Sequence, residues 1–395
     1  MAIRPEMLTW ARETAGLSLE DAARAIGLKE ARGETGPSRL AKLERGEEEP
    51  KPALLEKMAK AYRRSLLVFY LSHPPKAGDR GKDFRTLPGK ERENPELDAL
   101  IRDIKARQDL VRSILEDEEA ELPDFIGKAN LGLPVKELAD RIINRFGIDI
   151  NEFRSQKNAE DAFGYLRTKI EQGGVFVLLV GNLGSHHTNI PVKIFRGYAS
   201  ADRLAPMIVI NDQDAKSAWS FTALHELVHL WLGDTGISGS DVTDKAEQYC
   251  NDVAGEILLP AEDLKAFSPT APPFSLAVDF INDLARQWRV SRPMVAYKLY
   301  RTGNVSHSLW RQLDNHFHDE FLKFKEKQSE KQKSSEGGPN YYVVKRHRVG
   351  SALLGLVRRA LDEGNITYTK ASRVLGVKPR NVEPLLASVR NRGLR

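Results

Sequence analysis

Residues 222–230 read Thr-Ala-Leu-His-Glu-Leu-Val-His-Leu and place two histidines four positions apart. On an α-helix, His225 and His229 share one face, so both imidazoles can reach a single Zn²⁺ at about 2.0–2.1 Å. Glu226 is rotated by about 100° around such a helix from His225. Its carboxylate therefore lies beside the metal, where it can take a proton from the water that zinc activates and pass it to the leaving amine.

The neighbours of this motif favour a buried helix. The apolar residues around it are Phe221, Leu224, Leu227, Val228, Leu230 and Trp231. Burying two histidines and a glutamate costs several kcal/mol unless a metal or a partner satisfies them. A hydrogen-bonded core histidine would explain one of these residues, but not two at ligand spacing. The stretch therefore predicts a catalytic site with one zinc ion per chain, with His225 and His229 as ligands and Glu226 as the general base.

A catalytic zinc site needs a third protein ligand and an open fourth position. The acidic candidates downstream of the motif are Asp234, Asp241, Asp244, Glu247, Asp252 and Glu256. Residues 244–259 have helical periodicity, and a helix packed against the first could present Glu247 to the metal. Glu256 lies on a different face of that helix and is the rival candidate, so the spacing alone leaves both open. A structural zinc site is disfavoured because it usually takes four protein ligands.

The composition of the 395 residues is that of a soluble globular protein, with 41% hydrophobic and 29% charged residues. This length predicts two or three domains. A single cysteine, Cys250, excludes an intramolecular disulfide framework and suits a reducing cytoplasm. The N-terminal stretch has no apolar signal-peptide core, and no apolar run reaches the length of a membrane span. We therefore expect a cytoplasmic protein with no membrane partner.

Charge is unevenly distributed along the chain. Residues 1–75 contain 13 basic and 11 acidic side chains, a net charge of +2. Residues 320–395 contain 17 basic and 7 acidic side chains, a net charge of +10. The remaining middle holds 30 and 37, a net charge of −7. Any contact with a polyanion is therefore expected at the ends of the chain.

Apolar periodicity predicts an α+β protein that is mainly helical. Short apolar runs with β-branched residues predict strands at 174–180, 192–198 and 207–211, followed at once by a helix at 217–232. The sheet is therefore small and lies beside the helix with the zinc motif. As a hypothesis, the strand at 207–211 is an edge strand that pairs with an extended substrate. A purely structural strand is the alternative.

Breaks in composition divide the chain into four segments. Residues 1–75 form a compact set of short helices, with Ser38 as the candidate N-cap of the third. Residues 83–320 carry the sheet and the zinc motif. Residues 321–340 are polar and charged and contain a Gly-Gly-Pro sequence, which predicts a linker. Residues 341–395 form a last, basic helical module.

The zinc motif and the segment that follows it resemble the ImmA/IrrE family of bacterial zinc metallopeptidases. The shared pattern is His-Glu-x-x-His at 225–229, followed by Glu-x-x-Cys-Asn-x-x-Ala-x-x-x-Leu-Leu-Pro at 247–260. The lead-in at 206–211 and an upstream Asp-Phe-Arg element at 83–88 are also similar to this family. The resemblance implies that Glu247 is the third zinc ligand. It also implies a mobile-element, stress-response or toxin–antitoxin setting.

Residues 16–50 resemble the Cro/repressor (XRE) type of helix-turn-helix domain. In that type the third helix enters the major groove of DNA, which would direct Ser38, Arg39 and Lys42 towards the duplex. Here the turn after the second helix is longer than in the domains it resembles, and residues 47–49 are acidic. A role in protein interaction therefore stays open beside DNA binding, because phosphate contact needs a basic face.

A second helix-turn-helix-like pattern occurs in the C-terminal module. Ala371, Val374 and Leu375 have helical spacing and precede a Gly-Val pair. Basic residues accompany the pattern at positions 370, 373, 378 and 380. The pattern is compatible with nucleic-acid binding and with recognition of a protein partner.

Together these patterns predict a regulatory zinc endopeptidase, coupled to DNA binding, that hydrolyses peptide bonds of a repressor- or antitoxin-like protein substrate. The alternative is a transcriptional regulator or antitoxin whose zincin-like domain binds or senses a partner without cleaving it. The presence of Glu226 favours the enzyme, because a site that only binds has no need of a general base. The sequence indicates neither the cleavage site in the substrate nor the oligomeric state.

Overall fold

The computed structural model describes residues 3–31, 33–71, 73–74, 94–184, 188–238, 245–264, 273–334 and 340–387. These residues form helices and one four-stranded sheet, which confirms the predicted α+β, mainly helical class. They divide into two compact units, the first with the N-terminal helices and the second with the sheet, the motif helix and the C-terminal module. The Asp-Phe-Arg element at 83–88 lies outside the described residues.

The N-terminal unit begins with four short helices and a 3₁₀ turn. The helices are α1 (Pro5–Glu13), α2 (Leu19–Ile26), α3 (Gly36–Glu44) and α4 (Pro52–Ala61), and the turn spans Leu66–Tyr70. Ser18 caps α2 by accepting a hydrogen bond from the Asp21 N–H at 3.1 Å. Gly27 ends α2 in the left-handed region at φ 68°, the usual conformation of a glycine C-cap.

The third helix begins earlier than its predicted cap. Thr35 is the N-cap and accepts a hydrogen bond from the Ser38 N–H at 3.4 Å, whereas Ser38 lies within the first turn of α3. Pro37 explains the difference, because proline is favoured in a first helical turn, where its missing N–H has no partner in the helix. The buried core between these helices includes Leu8, Ala22, Ile26, Leu40, Leu43, Leu55, Met58, Tyr62 and Phe69.

Helix α5 (Pro95–Asp117) contributes residues to both units. The other helices of the second unit are α6 (Val135–Phe146), α7 (Ile150–Ser155), α8 (Ala159–Gln172), α9 (Trp219–Leu232), α10 (Lys245–Leu258), α11 (Phe274–Trp288), α12 (Arg292–Arg301), α13 (His307–Ser334), α14 (Tyr341–Val349), α15 (Ser351–Asp362), α16 (Tyr368–Leu375) and α17 (Val382–Ala387). Of the helices described in either unit, none combines the length and the apolar character that crossing a membrane requires.

The sheet of the second unit has four short strands. They are β1 (Phe176–Leu179), β2 (Gly197–Ser200), β3 (Met207–Ile210) and β4 (Gly236–Ser238), in the order β1-β3-β2-β4. Strand β3 runs parallel to β1 and antiparallel to β2, and β2 runs antiparallel to β4. Because β3 has a neighbour on each side, it is not an edge strand. The hypothesis that an extended substrate pairs with it is therefore wrong.

The strand predicted at 192–198 is wrong for most of its length. Ile194 and Phe195 donate their backbone N–H groups to the Pro191 carbonyl at 2.9 and 3.2 Å, so this segment is a turn. Proline favours turns because its ring fixes φ. Strand β2 therefore begins only at Gly197, after the apolar run that predicts a strand.

Helix α13 extends to Ser334, so most of the segment predicted as a linker at 321–340 is helical. Lysine, glutamate and glutamine dominate this stretch. Such straight-chain residues lose little freedom in a helix, so an exposed helix can form without a continuous apolar stripe. Polar composition in residues 322–327 accompanies exposure rather than irregular structure. The Gly-Gly-Pro sequence at 337–339 lies outside the described residues.

Helix α9 lies at the centre of the second unit. It contacts the helices α8 and α10 and the strands β2 and β3 of the sheet. Residues of all these elements belong to one hydrophobic core. The packing explains why apolar residues occur on every side of α9, unlike a surface helix with a single apolar stripe.

Candidate metal centre

Helix α9 places the His-Glu-x-x-His motif inside the core of the second unit. Of its 14 residues, 12 are buried, including the three polar residues of the motif. The helix ends at Gly233, where a Cβ would lie 3.1 Å from the Cα of Gly127. The Gly127 N–H donates to the Leu230 carbonyl at 3.1 Å. The two glycines therefore allow a neighbouring loop to satisfy a terminal carbonyl of the motif helix.

Three side chains converge between α9 and α10. The Nε2 atoms of His225 and His229 lie 3.1 Å apart. The Glu247 carboxylate faces both rings, with Oε2 3.2 Å from Nε2 of His225 and Oε1 3.2 Å from Nε2 of His229. All three residues are buried. Glu247 lies in the first turn of α10, and the packing of α10 on α9 brings it to the histidines.

The donor set and its spacing fit a zinc ion. Ligand atoms at about 2.0–2.1 Å in a tetrahedron lie about 3.3 Å from one another. The two Nε2 atoms here are 3.1 Å apart, and each lies 3.2 Å from a different oxygen of the Glu247 carboxylate. Two imidazoles and one carboxylate are a known ligand set of catalytic zinc, which keeps a fourth position for water or substrate. Within the described part of the chain, these are the His, Cys, Asp or Glu side chains whose ligand atoms converge closely enough for a metal ion.

Burial and mutual contacts shift the pKa values of these groups. For Glu247, burial raises the pKa, but hydrogen bonds and charges from His225 and His229 outweigh it and hold the pKa well below its usual range. For His229, burial lowers the pKa, but contacts with Cys250, Glu247 and Glu226 outweigh it and raise the pKa well above its usual value. The carboxylates beside these histidines thus favour a positive charge at this position, which a bound divalent cation would supply.

Glu226 packs against strand β2. It is fully buried, and a Cβ on Gly197 would lie 2.1 Å from its Oε1 and 2.7 Å from its Cδ. A side chain at this position would overlap the carboxylate as it is placed, so this close contact depends on glycine. Gly197 is absent from the sequence-predicted site. The available signal is an isolated glycine at a strand, which often marks close backbone approach.

Cys250 is a further neighbour that the sequence-predicted site does not contain. It lies one turn after Glu247 on α10 and is buried beside His229. Burial raises the pKa of its thiol. A neutral thiol is a poor metal ligand compared with a thiolate, and Cys250 does not belong to the group of converging ligand atoms.

The rival ligand Glu256 is committed elsewhere. Its Oε2 lies 2.6 Å from Nζ of Lys298 on α12. Asp252 is also engaged, because its Oδ1 accepts a hydrogen bond from Nε of Arg301 at 3.0 Å. Asp241 and Asp244 are outside the described residues, so nothing is assigned to them. Of the two alternatives left open by spacing, the structure places Glu247 at the histidines.

The three predicted DNA contacts lie on α3 of the N-terminal unit. Ser38 is exposed. The Arg39 guanidinium donates to the Lys29 carbonyl at 2.7 Å, and the Lys42 ammonium lies 2.5 Å from a carboxylate oxygen of Glu34. Two of the three side chains are therefore held by groups of their own domain.

The enclosed motif helix, the carboxylate from the following helix and the adjacent sheet define a zincin-like, metallopeptidase-type domain. Residues 143–300 match the family model of the IrrE N-terminal-like domain, peptidase family M78. Residues 8–69 match a helix-turn-helix family model. The chain thus combines an ImmA/IrrE-type domain with an XRE-type helix-turn-helix domain, which confirms the architecture that the resemblance implied. No curated protein and no solved structure matches the chain significantly.

Proposed function

We propose that the chain is a regulatory zinc-dependent endopeptidase that hydrolyses peptide bonds of a protein substrate. The observation that carries the proposal is Glu226, a fully buried carboxylate that follows a histidine of the candidate metal centre and lies against Gly197. Burying a carboxylate is costly, and a site that only binds a metal has no need of one beyond its ligands. A general base of a hydrolytic site does need this position.

The residues divide the work of hydrolysis between them. His225, His229 and Glu247 would hold the zinc ion. When bound, zinc supplies a Lewis acid that polarises the substrate carbonyl and makes water more acidic. Glu226 takes the proton of the attacking water on a carboxylate oxygen and then donates it to the amide nitrogen of the leaving group. The apolar side chains of α9 keep bulk water away, which strengthens the electrostatic interactions within the site.

We also propose that peptidase activity is coupled to DNA binding through the N-terminal unit. The helix-turn-helix match at residues 8–69 supports DNA binding, and Ser38 on α3 is exposed to a partner. The substrate class, a repressor- or antitoxin-like protein, rests on the resemblance to ImmA/IrrE proteins. DNA binding together with one free cysteine favours the cytoplasm as the compartment.

The test compares zinc content and cleavage for the wild type, Glu226→Gln and Glu247→Gln. Each purified protein is analysed for metal and then incubated with the protein encoded by the neighbouring gene. The wild type is expected to hold about one zinc ion and to cut. Glu226→Gln is expected to keep zinc without cutting, because it retains the ligands and lacks the base. Glu247→Gln is expected to lose zinc.

A different pattern would favour the alternative function. If the wild type holds zinc, cuts nothing, and regulates and binds DNA as Glu226→Gln does, the domain is not catalytic. The chain would then be a metal-stabilised regulator or antitoxin whose zincin-like domain binds or senses a partner without cleaving it.

A further inference from the structure

The C-terminal module, defined here as residues 340–387, repeats the first helix of the N-terminal helix-turn-helix. Helices α2 and α16 both have eight residues. Each begins at an N-cap residue with a hydroxyl group, which accepts a hydrogen bond from the backbone N–H three residues later. The distance is 3.1 Å for Ser18 and 3.2 Å for Thr367. Each ends at a glycine in the left-handed region, Gly27 at φ 68° and Gly376 at φ 62°. The module lies outside both family matches.

The correspondence between α2 and α16 extends to their sequences and to their buried positions. Residues 18–28 read Ser-Leu-Glu-Asp-Ala-Ala-Arg-Ala-Ile-Gly-Leu, and residues 367–377 read Thr-Tyr-Thr-Lys-Ala-Ser-Arg-Val-Leu-Gly-Val. The buried positions Ala22, Ala23 and Ile26 correspond to Ala371, Ser372 and Leu375, which are buried as well. Both helices therefore present the same face to a core, as the first helix of a helix-turn-helix does.

The turn that follows α16 has the length usual for a helix-turn-helix. Three residues, 376–378, separate α16 from a 3₁₀ turn at Pro379–Asn381, which leads directly into α17. Typical turns of this motif have three or four residues and often contain glycine. In the N-terminal unit, nine residues separate α2 from α3. Between the α-helices themselves the separations are six residues, 376–381, and nine residues, so the C-terminal module is closer to the typical turn length.

Charge distinguishes the two units further. Residues 340–387 contain nine basic and three acidic side chains, a net charge of +6. Arg373 on α16 and Lys378 and Arg380 in the following turn are all exposed. Glu383, the single acidic residue between 364 and 387, accepts a hydrogen bond from the Tyr368 hydroxyl at 3.1 Å. The exposed face near the turn is therefore cationic.

The other side of the module is fixed to the second unit. Glu171 of α8 accepts hydrogen bonds from the backbone N–H groups of Ser351 at 3.0 Å and Ala352 at 3.2 Å. Arg359 of α15 lies 2.7 Å from a carboxylate oxygen of Glu118. These contacts place the module in one compact unit with the metal centre.

We propose that the C-terminal module is a second binding unit for duplex DNA, in which Arg373, Lys378 and Arg380 contact the phosphate backbone. The cationic face complements the polyanion, and the short turn after α16 is typical of a helix-turn-helix. DNA bound here is held by the same unit that carries the metal centre. This adds a DNA site that is independent of the N-terminal helix-turn-helix match and of catalysis.

The test measures binding of the full-length protein to a fluorescent 30-base-pair duplex of mixed sequence at several salt concentrations. The triple variant R373Q/K378Q/R380Q removes the three exposed charges. Each phosphate contact contributes about 0.9 to the slope of log affinity against log salt, so the slope is expected to fall by about 2.7. At 0.1 M salt the affinity is expected to fall at least about tenfold.

The matched control is K128Q/K136Q/K157Q, which makes the same change in net charge at three exposed lysines outside both helix-turn-helix units. It is expected to bind almost as the wild type does. Equal affinity and equal salt slope for the triple variant and this control would overturn the proposal. A wild-type preference for a single-stranded 30-nucleotide RNA over the duplex would overturn it too. Binding is measured without cleavage, so the result does not depend on the peptidase proposal.

Discussion

Two buried polar clusters of the second unit differ in what completes them. On α8, Nε of Arg167 lies 3.2 Å from one carboxylate oxygen of Glu171. The other oxygen of Glu171 accepts hydrogen bonds from the backbone N–H groups at the start of α15. A permanent cation and main-chain donors thus satisfy this carboxylate. Such a cluster holds two parts of the fold together, and nothing further need bind there.

The metal centre has a different composition. Glu247 faces His225 and His229, and in each neutral imidazole one ring nitrogen carries a lone pair that can bind a metal. The balancing positive charge must come from a proton or from a bound cation. Comparing the clusters separates a structural carboxylate from a ligand carboxylate: the first lies beside a permanent cation, and the second lies beside other ligands. Both glutamates are buried on helices, so burial alone would not distinguish them.

The largest effect on stability is expected at the structural cluster. Arg167→Ala leaves Glu171 buried without its cation, which should lower the free energy of unfolding by about 3–5 kcal/mol. Urea unfolding followed by tryptophan fluorescence measures the change, and metal analysis should show unchanged zinc. Arg141→Ala is the control, because its pair with Glu137 is about half exposed and should contribute below about 1 kcal/mol. Loss of zinc with unchanged stability would reverse the roles of the two clusters.

An intermediate effect is expected from removing the metal. At a free zinc concentration about 100 times the Kd, binding adds about 2.7 kcal/mol to the stability of the wild type, and a chelator should remove it. Glu247→Gln should show no change in Tm on adding the chelator. Glu256→Gln, on the same helix, should keep the response, because its carboxylate pairs with Lys298 instead. If both variants respond like the wild type, Glu247 is not a ligand.

A smaller effect on stability, with a large one on activity, is expected from Gly197→Ala. The added methyl overlaps the Glu226 carboxylate, and such overpacking costs about 1–3 kcal/mol. Displacing the general base should reduce cleavage about 10²–10⁴-fold while zinc is retained. Gly164→Ala on α8 is the control, since its Cβ would enter open space and should be neutral or slightly stabilising. Full cleavage by Gly197→Ala would show that Glu226 does not need this contact.

The sequence allows the motif helix to be predicted because its information is local. Histidines four residues apart on an apolar helix predict their common face, and the structure brings His225 and His229 together as expected. Glu247 follows from the family resemblance, whereas spacing left Glu256 open. Glu256 is excluded as a metal ligand by its ion pair with Lys298 of α12, which lies two helices further along the chain than α10.

The remaining features depend on contacts that periodicity does not contain. Gly197 meets Glu226 because β2 packs on α9, and the position of β3 between β1 and β2 is a property of strand pairing. The sequence of a short apolar run does not indicate which strands it will pair with in a sheet. The continuation of α13 to Ser334 does not follow from composition, because a polar stretch is compatible with a linker and with a helix.

The most direct test of the metal centre is zinc K-edge X-ray absorption on the full-length protein. The account predicts only nitrogen and oxygen neighbours at about 2.0–2.2 Å, supplied by His225, His229, Glu247 and a solvent molecule. A sulfur neighbour at about 2.3 Å would contradict it. That result would make Cys250 a fourth protein ligand, close the open position, and assign the zinc a structural role.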